Sequence, residues 1–258
     1  MSRLRGRLLL GFGVRSGLAG ELGKGFLIVA AAMIALFGAL VAAGGTTVTG
    51  SGLRADVLGN GLAAFLSWAV LEEVSRMGLL LALLALTRRP WLALAVSSLA
   101  FGAVHLLDDG TLLGAASSTL GGLMYGLALL RTGRMWMPIA MHFAWNFVQG
   151  SILGYPVSGE HRLGVLFLPE HDVVGGLLTL HDNGPELLTG GAYGPEGGIP
   201  SLVARALIIL AVLAATRRPA HVPLLTPRRH AEAPQTVRRR PRPSQEAPPD
   251  HHTAGGGS

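Results

Sequence analysis

The stretch Ala69–Leu81, AVLEEVSRMGLLL, places two adjacent carboxylates, Glu72 and Glu73, and a cation, Arg76, inside an apolar run. From Val57 to Leu86 these thirty residues carry no other formal charge. His105 and His142 stand in similarly apolar surroundings, and Asn146 follows His142 by one helical turn. A glutamate held in a low-dielectric cavity keeps a proton more readily than one in water, which suits a general base acting on water. His142 and Asn146, at i and i+4, share a helix face and can aim donors at one point, as a developing oxyanion requires. His105, on another segment, could fix the attacking water. Together these parts suit hydrolysis of an amide bond. Other chemistry stays open. One Glu and two His are acceptable zinc ligands, although no His-Glu-x-x-His spacing marks a local metal site. A proton-coupled transporter also needs buried Glu and His. The plainest reading pairs Glu72 with Arg76 across one turn, at i and i+4, and leaves Glu73 and both histidines unexplained.

The elements that must carry these residues follow from composition. The chain has 258 residues, 50% hydrophobic and 14% charged, against about a quarter charged in an ordinary soluble domain. Apolar blocks long enough to cross a bilayer account for the deficit. Six are expected: Gly25–Ala43, Gly61–Leu86, Trp91–Leu107, Thr111–Leu130, Met135–Leu153 and Ile199–Ala215. Arg3, Arg5, Arg7 and Arg15 precede the first block, Arg88 and Arg89 follow the second, Arg131 and Arg134 the fourth, and Arg217 and Arg218 the sixth. The alternate connections are mixed or acidic, so the basic clusters fall on one side, which predicts that both termini are cytoplasmic. The expected architecture is all-α: a polytopic transmembrane bundle of about six spanning helices. The first block is longer than the apolar core of a signal peptide and is expected to be retained.

Around this core, residues 1–24 form a basic cytoplasmic segment and residues 25–216 the membrane domain. Its outer loop, 154–198, is rich in Gly, Pro, Asp, Glu and His, with apolar pieces Val165–Leu168 and Val173–Leu180 suited to the membrane surface. Residues 217–258 are rich in Arg and Pro and are expected to be a disordered cytoplasmic tail, either in contact with anionic lipid headgroups or inert. The net charge of +6 is attributed to membrane topology, and no nucleic-acid partner is expected. The chain has no cysteine, which excludes disulfides, thiolate-bound zinc and a Cys nucleophile. Arg205, inside the last block, has no assigned role and is expected to snorkel or to bond between helices.

Three ordered blocks resemble the CPBP family, the CAAX prenyl proteases and bacteriocin-processing enzymes, also called Abi-type intramembrane proteases. That family shows Glu-Glu-x-x-x-Arg, then Phe-x-x-x-His, then His-x-x-x-Asn/Asp two helices later. Here FGAVH, Phe101–His105, fits the second block, and HFAWN, His142–Asn146, fits the third after the lead-in RTGRMWMPIAM. LTGGAYGPEGG, Leu188–Gly198, is similar to a phrase before the last helix of many bacterial members. The resemblance covers roughly residues 64–215. The first block departs: only Val74 and Ser75 separate Glu73 from Arg76, and Met77 stands where Arg is expected.

The resemblance implies an intramembrane endopeptidase in which Glu72 is the base, His105 helps to hold the water, and His142 and Asn146 stabilise the oxyanion. Glu73 and Arg76 are supporting residues, and no cofactor is implied. Implied partners are membrane lipids and a membrane-associated peptide or protein substrate, in a bacterial inner membrane. With its early spacing, Arg76 is expected to approach Glu72 from i+4, which would weaken it as a base. That departure keeps an inactive CPBP-like scaffold or immunity protein as the alternative, ahead of a transporter.

Overall fold

Runs rich in Leu, Ala, Val and Ile, with proline confined to the first turn where it occurs, form helices close to where they are expected. The computed structural model describes residue 12 and residues 17–107, 111–166 and 168–216. Helix α1 is Leu18–Ala42, α2 Ala55–Thr87, α3 Pro90–Val104, α4 Leu112–Thr132, α5 Trp136–Phe147, α6 Glu186–Thr189 and α7 Ile199–Ala215. Helix α5 runs on into a π turn, Val148–Ile152. The basic leader up to Arg15, the Asp108–Asp109 pair and the tail from Arg217 lie outside the described residues.

Helix boundaries follow local chemistry. Helix α2 ends where Arg88 turns left-handed, at φ 55°, and Pro90 then opens α3 in its first turn, where its missing N–H is no loss. Thr111 caps α4 by accepting the Gly114 N–H at 2.9 Å, and Gly133 closes that helix at φ 69°. Helix α3, with 15 residues, spans roughly 22 Å, short of the ~30 Å hydrocarbon core. The sequence puts His105 near the outer end of a longer helix, a position that requires either a later start or a buried segment after it. The first does not hold, since α3 starts at Pro90; of the segment Leu106–Gly110, Leu106 and Leu107 are exposed and residues 108–110 lie outside the described residues. The helix is simply short, and His105 caps it.

The chain is mostly helical, as expected, and its connections add two short antiparallel ribbons that the sequence did not announce. Strand β1, Thr46–Ser51, pairs antiparallel with β4, Leu178–Asp182, and β2, Arg162–Leu163, with β3, His171–Asp172. Thr46, Thr47, Val48 and Thr49 form a β-branched run, and β4 alternates apolar and polar residues, patterns that suit a half-buried ladder. The piece Val173–Leu180 folds onto the bundle. Val173 packs with Ala64, Phe65 and Val157, and Leu178 and Leu180 belong to β4.

Two clusters hold the site-bearing helices. Val29, Met33, Leu36 and Leu40 of α1 pack with Met137, Met141, Ala144 and Trp145 of α5 and Ile208 of α7. Met77, Leu80 and Leu84 of α2 pack with Leu94 of α3, Leu129 of α4 and Met135. The outward faces invert the pattern of a soluble protein: Leu27, Ile34, Leu66, Leu99, Leu207 and Leu210 are exposed, while Glu73, Arg76, Glu196 and Arg205 are buried. Among the described residues, α1 and α4 are long and apolar enough to cross a membrane, and α3 and α7 are shorter apolar helices.

Helices α3 and α4 touch through Gly102, where an added Cβ would lie 2.5 Å from the Ala115 carbonyl oxygen and would also collide with Thr119 Oγ1. A backbone oxygen cannot swing away, so Gly102→Leu should force the helices apart. We expect a loss on the order of 2 kcal/mol, measured as a lower unfolding midpoint by tryptophan fluorescence in detergent; an unchanged midpoint would refute the close packing.

Candidate functional site

Adjacent residues on a helix are rotated by about 100°, so Glu72 and Glu73 of α2 face different surroundings. Glu73 is 0% exposed and forms an ion pair with Arg76, whose guanidinium meets both carboxylate oxygens. Glu73 Oε1 also lies 3.2 Å from His142 Nδ1. Both oxygens of Glu73 are therefore taken. The side chain of Glu72 remains 32% exposed, with Oε2 at 3.7 Å from His142 Nε2. This corrects the expectation that Arg76 approaches Glu72: its partner is Glu73, at i+3. Arg76 and Glu73 share the buried face of α2, where a lone charge is costly, whereas Glu72 points towards a cavity.

That cavity, of about 40 Å³, has room for a few waters. Glu72 of α2, His105 after α3, and His142 and Asn146 of α5 all line it. The four residues expected to act together do come together. His142 is held on both sides: Tyr125 of α4 stacks on its ring at 4.8 Å, nearly parallel, and Phe101 meets it edge-on at 6.0 Å. Glu73, ionised against Arg76, can only accept, which keeps a proton on His142 Nδ1 and leaves Nε2 facing Glu72. His105 is set similarly. Its Nδ1 lies 2.8 Å from the Phe101 carbonyl, an acceptor, so Nε2 is the nitrogen free to accept. Asn146, half-buried, makes no side-chain hydrogen bond to the described residues, which leaves its amide available to a ligand. Among the described residues no three His, Asp or Glu side chains are grouped to hold a metal ion.

The far wall was not foreseen. With Phe101, the residues Ser118, Tyr125, Trp145, Ser158, Glu196 and Arg205 complete the lining. Of the two expected roles, Arg205 takes the bonding one and does not snorkel: it is 3% exposed, pairs with Glu196 at 3.3 Å and stacks over Trp145 of α5 at 3.8 Å. A charge in the middle of the last apolar block, preceded nine residues earlier by a lone carboxylate, was the available signal. Burial also pushes the hydroxyl of nearby Tyr193 up to about 12, so it stays neutral.

Residues 54–148 match the sequence model of the type II CAAX prenyl endopeptidase Rce1-like family. This segment is similar to a membrane-embedded protease. It contains Glu72, Glu73, Arg76, His105, His142 and Asn146, and it bears out the resemblance carried by the three motif blocks. Glu196 and Arg205 lie beyond the matched residues. No curated protein and no solved structure gives a significant match to the chain.

Removing one partner of a buried ion pair strands the other. Arg76→Met should cost about 3–5 kcal/mol of stability, and adding Glu73→Gln should recover part of it. Unfolding midpoints of the single and double variants decide the matter: a double variant less stable than Arg76→Met would show that the pair is not the source of the loss.

Proposed function

We propose that the chain is a glutamate-dependent intramembrane endopeptidase acting on membrane-associated peptides or proteins. The observation that carries the proposal is the convergence of Glu72, His105, His142 and Asn146, from three helices, on one small cavity with room for water within an otherwise apolar bundle. The family match over the same residues supports a protease.

In this reading Glu72 accepts a proton from a water that His105 holds through Nε2, and the hydroxide adds to the scissile carbonyl. Negative charge develops on the carbonyl oxygen and is met by Asn146 and by His142 Nε2. The short step from Glu72 to His142 Nε2 lets the abstracted proton be shared with the ring as that charge builds. The C–N bond then breaks, hydroxide stays on the acyl carbon, and the proton passes to the departing amine. Glu73 and Arg76 fix His142 and take no part in proton transfer. Because Arg76 is spent on Glu73, the shortened motif spacing gives no support to the inactive-scaffold reading. The mechanism requires no metal.

The bundle is placed in a bacterial cell membrane with six crossings, α1–α5 and α7, and cytoplasmic termini. A chain without cysteine allows single-Cys mapping: thiols at Arg88 and at Asn183 should be labelled from opposite sides of sealed vesicles. Labelling from the same side would overturn the topology.

Catalysis is tested with the full-length protein in liposomes and quenched peptides patterned on prenylated C-termini, leader peptides and membrane-anchored segments. We expect wild-type cleavage, about 10³-fold loss in Glu72→Gln, about 10²-fold loss in Asn146→Ala, and no effect of a chelator. No cleavage across the panel counts against the protease reading. Activity retained in Glu72→Gln but lost in Glu73→Gln would transfer the base role, and chelator sensitivity would restore zinc.

A further inference from the structure

The segment between α5 and α7 contributes two cavity-lining residues, Ser158 from its start and Glu196 from its end. Glu196 lies in a short 3₁₀ turn, Pro195–Gly197, and is 3% exposed. Five donors converge on its carboxylate. Oε1 accepts from the Ser158 amide at 2.5 Å, the Ser158 hydroxyl at 3.0 Å and Gln149 Nε2 at 3.4 Å. Oε2 accepts from Trp145 Nε1 at 3.1 Å and Arg205 Nη2 at 3.3 Å. These donors belong to α5, the π turn, the start of the connection and α7. One carboxylate therefore ties four parts of the chain.

The same contacts exclude other roles for it. With both oxygens engaged and Arg205 neutralising its charge, Glu196 has little capacity left to act as a second base or to bind a cation. The backbone is shaped for the tie. Gly194 has φ 90°, and a Cβ there would collide with the Pro156 carbonyl oxygen, so only glycine lets the two ends of the connection come this close. The Pro156 carbonyl also accepts from Gln149 Nε2 at 2.6 Å, and the Gly159 amide donates to the Tyr193 carbonyl at 3.1 Å. Tyr193 in turn packs against Gly114 at the start of α4.

We infer that Glu196, with Arg205, is a positioning residue of the hydrolytic site. It fastens both ends of the outer connection as the roof of the cavity, and it fixes Trp145, the neighbour of Asn146 on α5. The consequence for catalysis rests on the hydrolytic reading; the roof itself does not. Loosening the tie opens the cavity to water and lets Asn146 move from the oxyanion position.

The absence of cysteine makes the roof measurable without any substrate. Ser118→Cys puts a single thiol on the cavity wall, and its modification by a small charged methanethiosulfonate is followed in the full-length protein in nanodiscs. Adding Glu196→Gln, which places an amide N–H₂ among donors, should raise the labelling rate about tenfold at temperatures well below unfolding. An unchanged rate in folded Glu196→Gln overturns the inference. Should that variant fail to fold, Trp145→Phe removes the indole donor to Glu196 while keeping an aromatic ring beside Arg205, and should raise the rate about threefold; an unchanged rate there overturns it equally. In the peptide assay Glu196→Gln should lower kcat roughly tenfold to hundredfold with KM little changed, and a loss confined to KM counts against positioning of Asn146. If wild type cleaves nothing while labelling responds as stated, the protease reading fails and the roof stands.

Discussion

Glu73 and Arg76 lie three residues apart on one helix, both almost fully buried, and neither can remain there alone. An isolated charge in this interior costs far more than the pair, so the two must meet, and their meeting fixes the rotation of α2. With that rotation set, Glu72 cannot share the same environment. It turns out of the ion pair towards the cavity, where His142 reaches both carboxylates, Nδ1 to Glu73 and Nε2 towards Glu72. Tyr125 then has a flat ring to stack on, and Phe101 an edge to meet. The position of the imidazole, and through it the relation of α2 to α5 and α4, depends on a salt bridge that contributes no atom to the cavity wall.

Much of this was readable from residue types. Charges are so unfavourable at bilayer depth that the few within apolar blocks marked the site before any geometry was known. Helix ends were readable because Pro90, Thr111 and Gly133 act locally. The partner of Arg76 was not. Positions i+3 and i+4 are both within reach on a helix, so spacing alone allows Glu72 or Glu73, and the choice depends on which face is buried. That is a tertiary fact. The same holds for β1 and β4, whose residues are more than a hundred positions apart in the chain. Each is too short to announce itself without the other.

Glu196 was hidden for a different reason. Its surroundings, rich in Gly and Pro, have the composition of an exposed loop, and only its folding back against α5 and α7 gives the carboxylate a buried role. Arg205 was visible as an anomaly in the last helix, but an arginine there is compatible with snorkelling until a buried acid is found for it. Residue pattern locates charges in depth far better than it pairs them.

The two ion pairs share a plan that explains what remains between them. Each joins a buried carboxylate to an arginine set against an aromatic ring, Arg76 at 6.0 Å from Tyr125 and Arg205 at 3.8 Å from Trp145. Each also fastens a residue beside the cavity, His142 in one case and Trp145 in the other. Each unit is paired within itself, and of the two only Glu196 and Arg205 reach the wall of the space they enclose. Among the residues lining that space, Glu72 is then the one carboxylate without an arginine partner. A bundle that pairs Glu73 and Glu196 with arginine and leaves Glu72 beside an imidazole keeps its structural carboxylates apart from the one that faces the cavity alone.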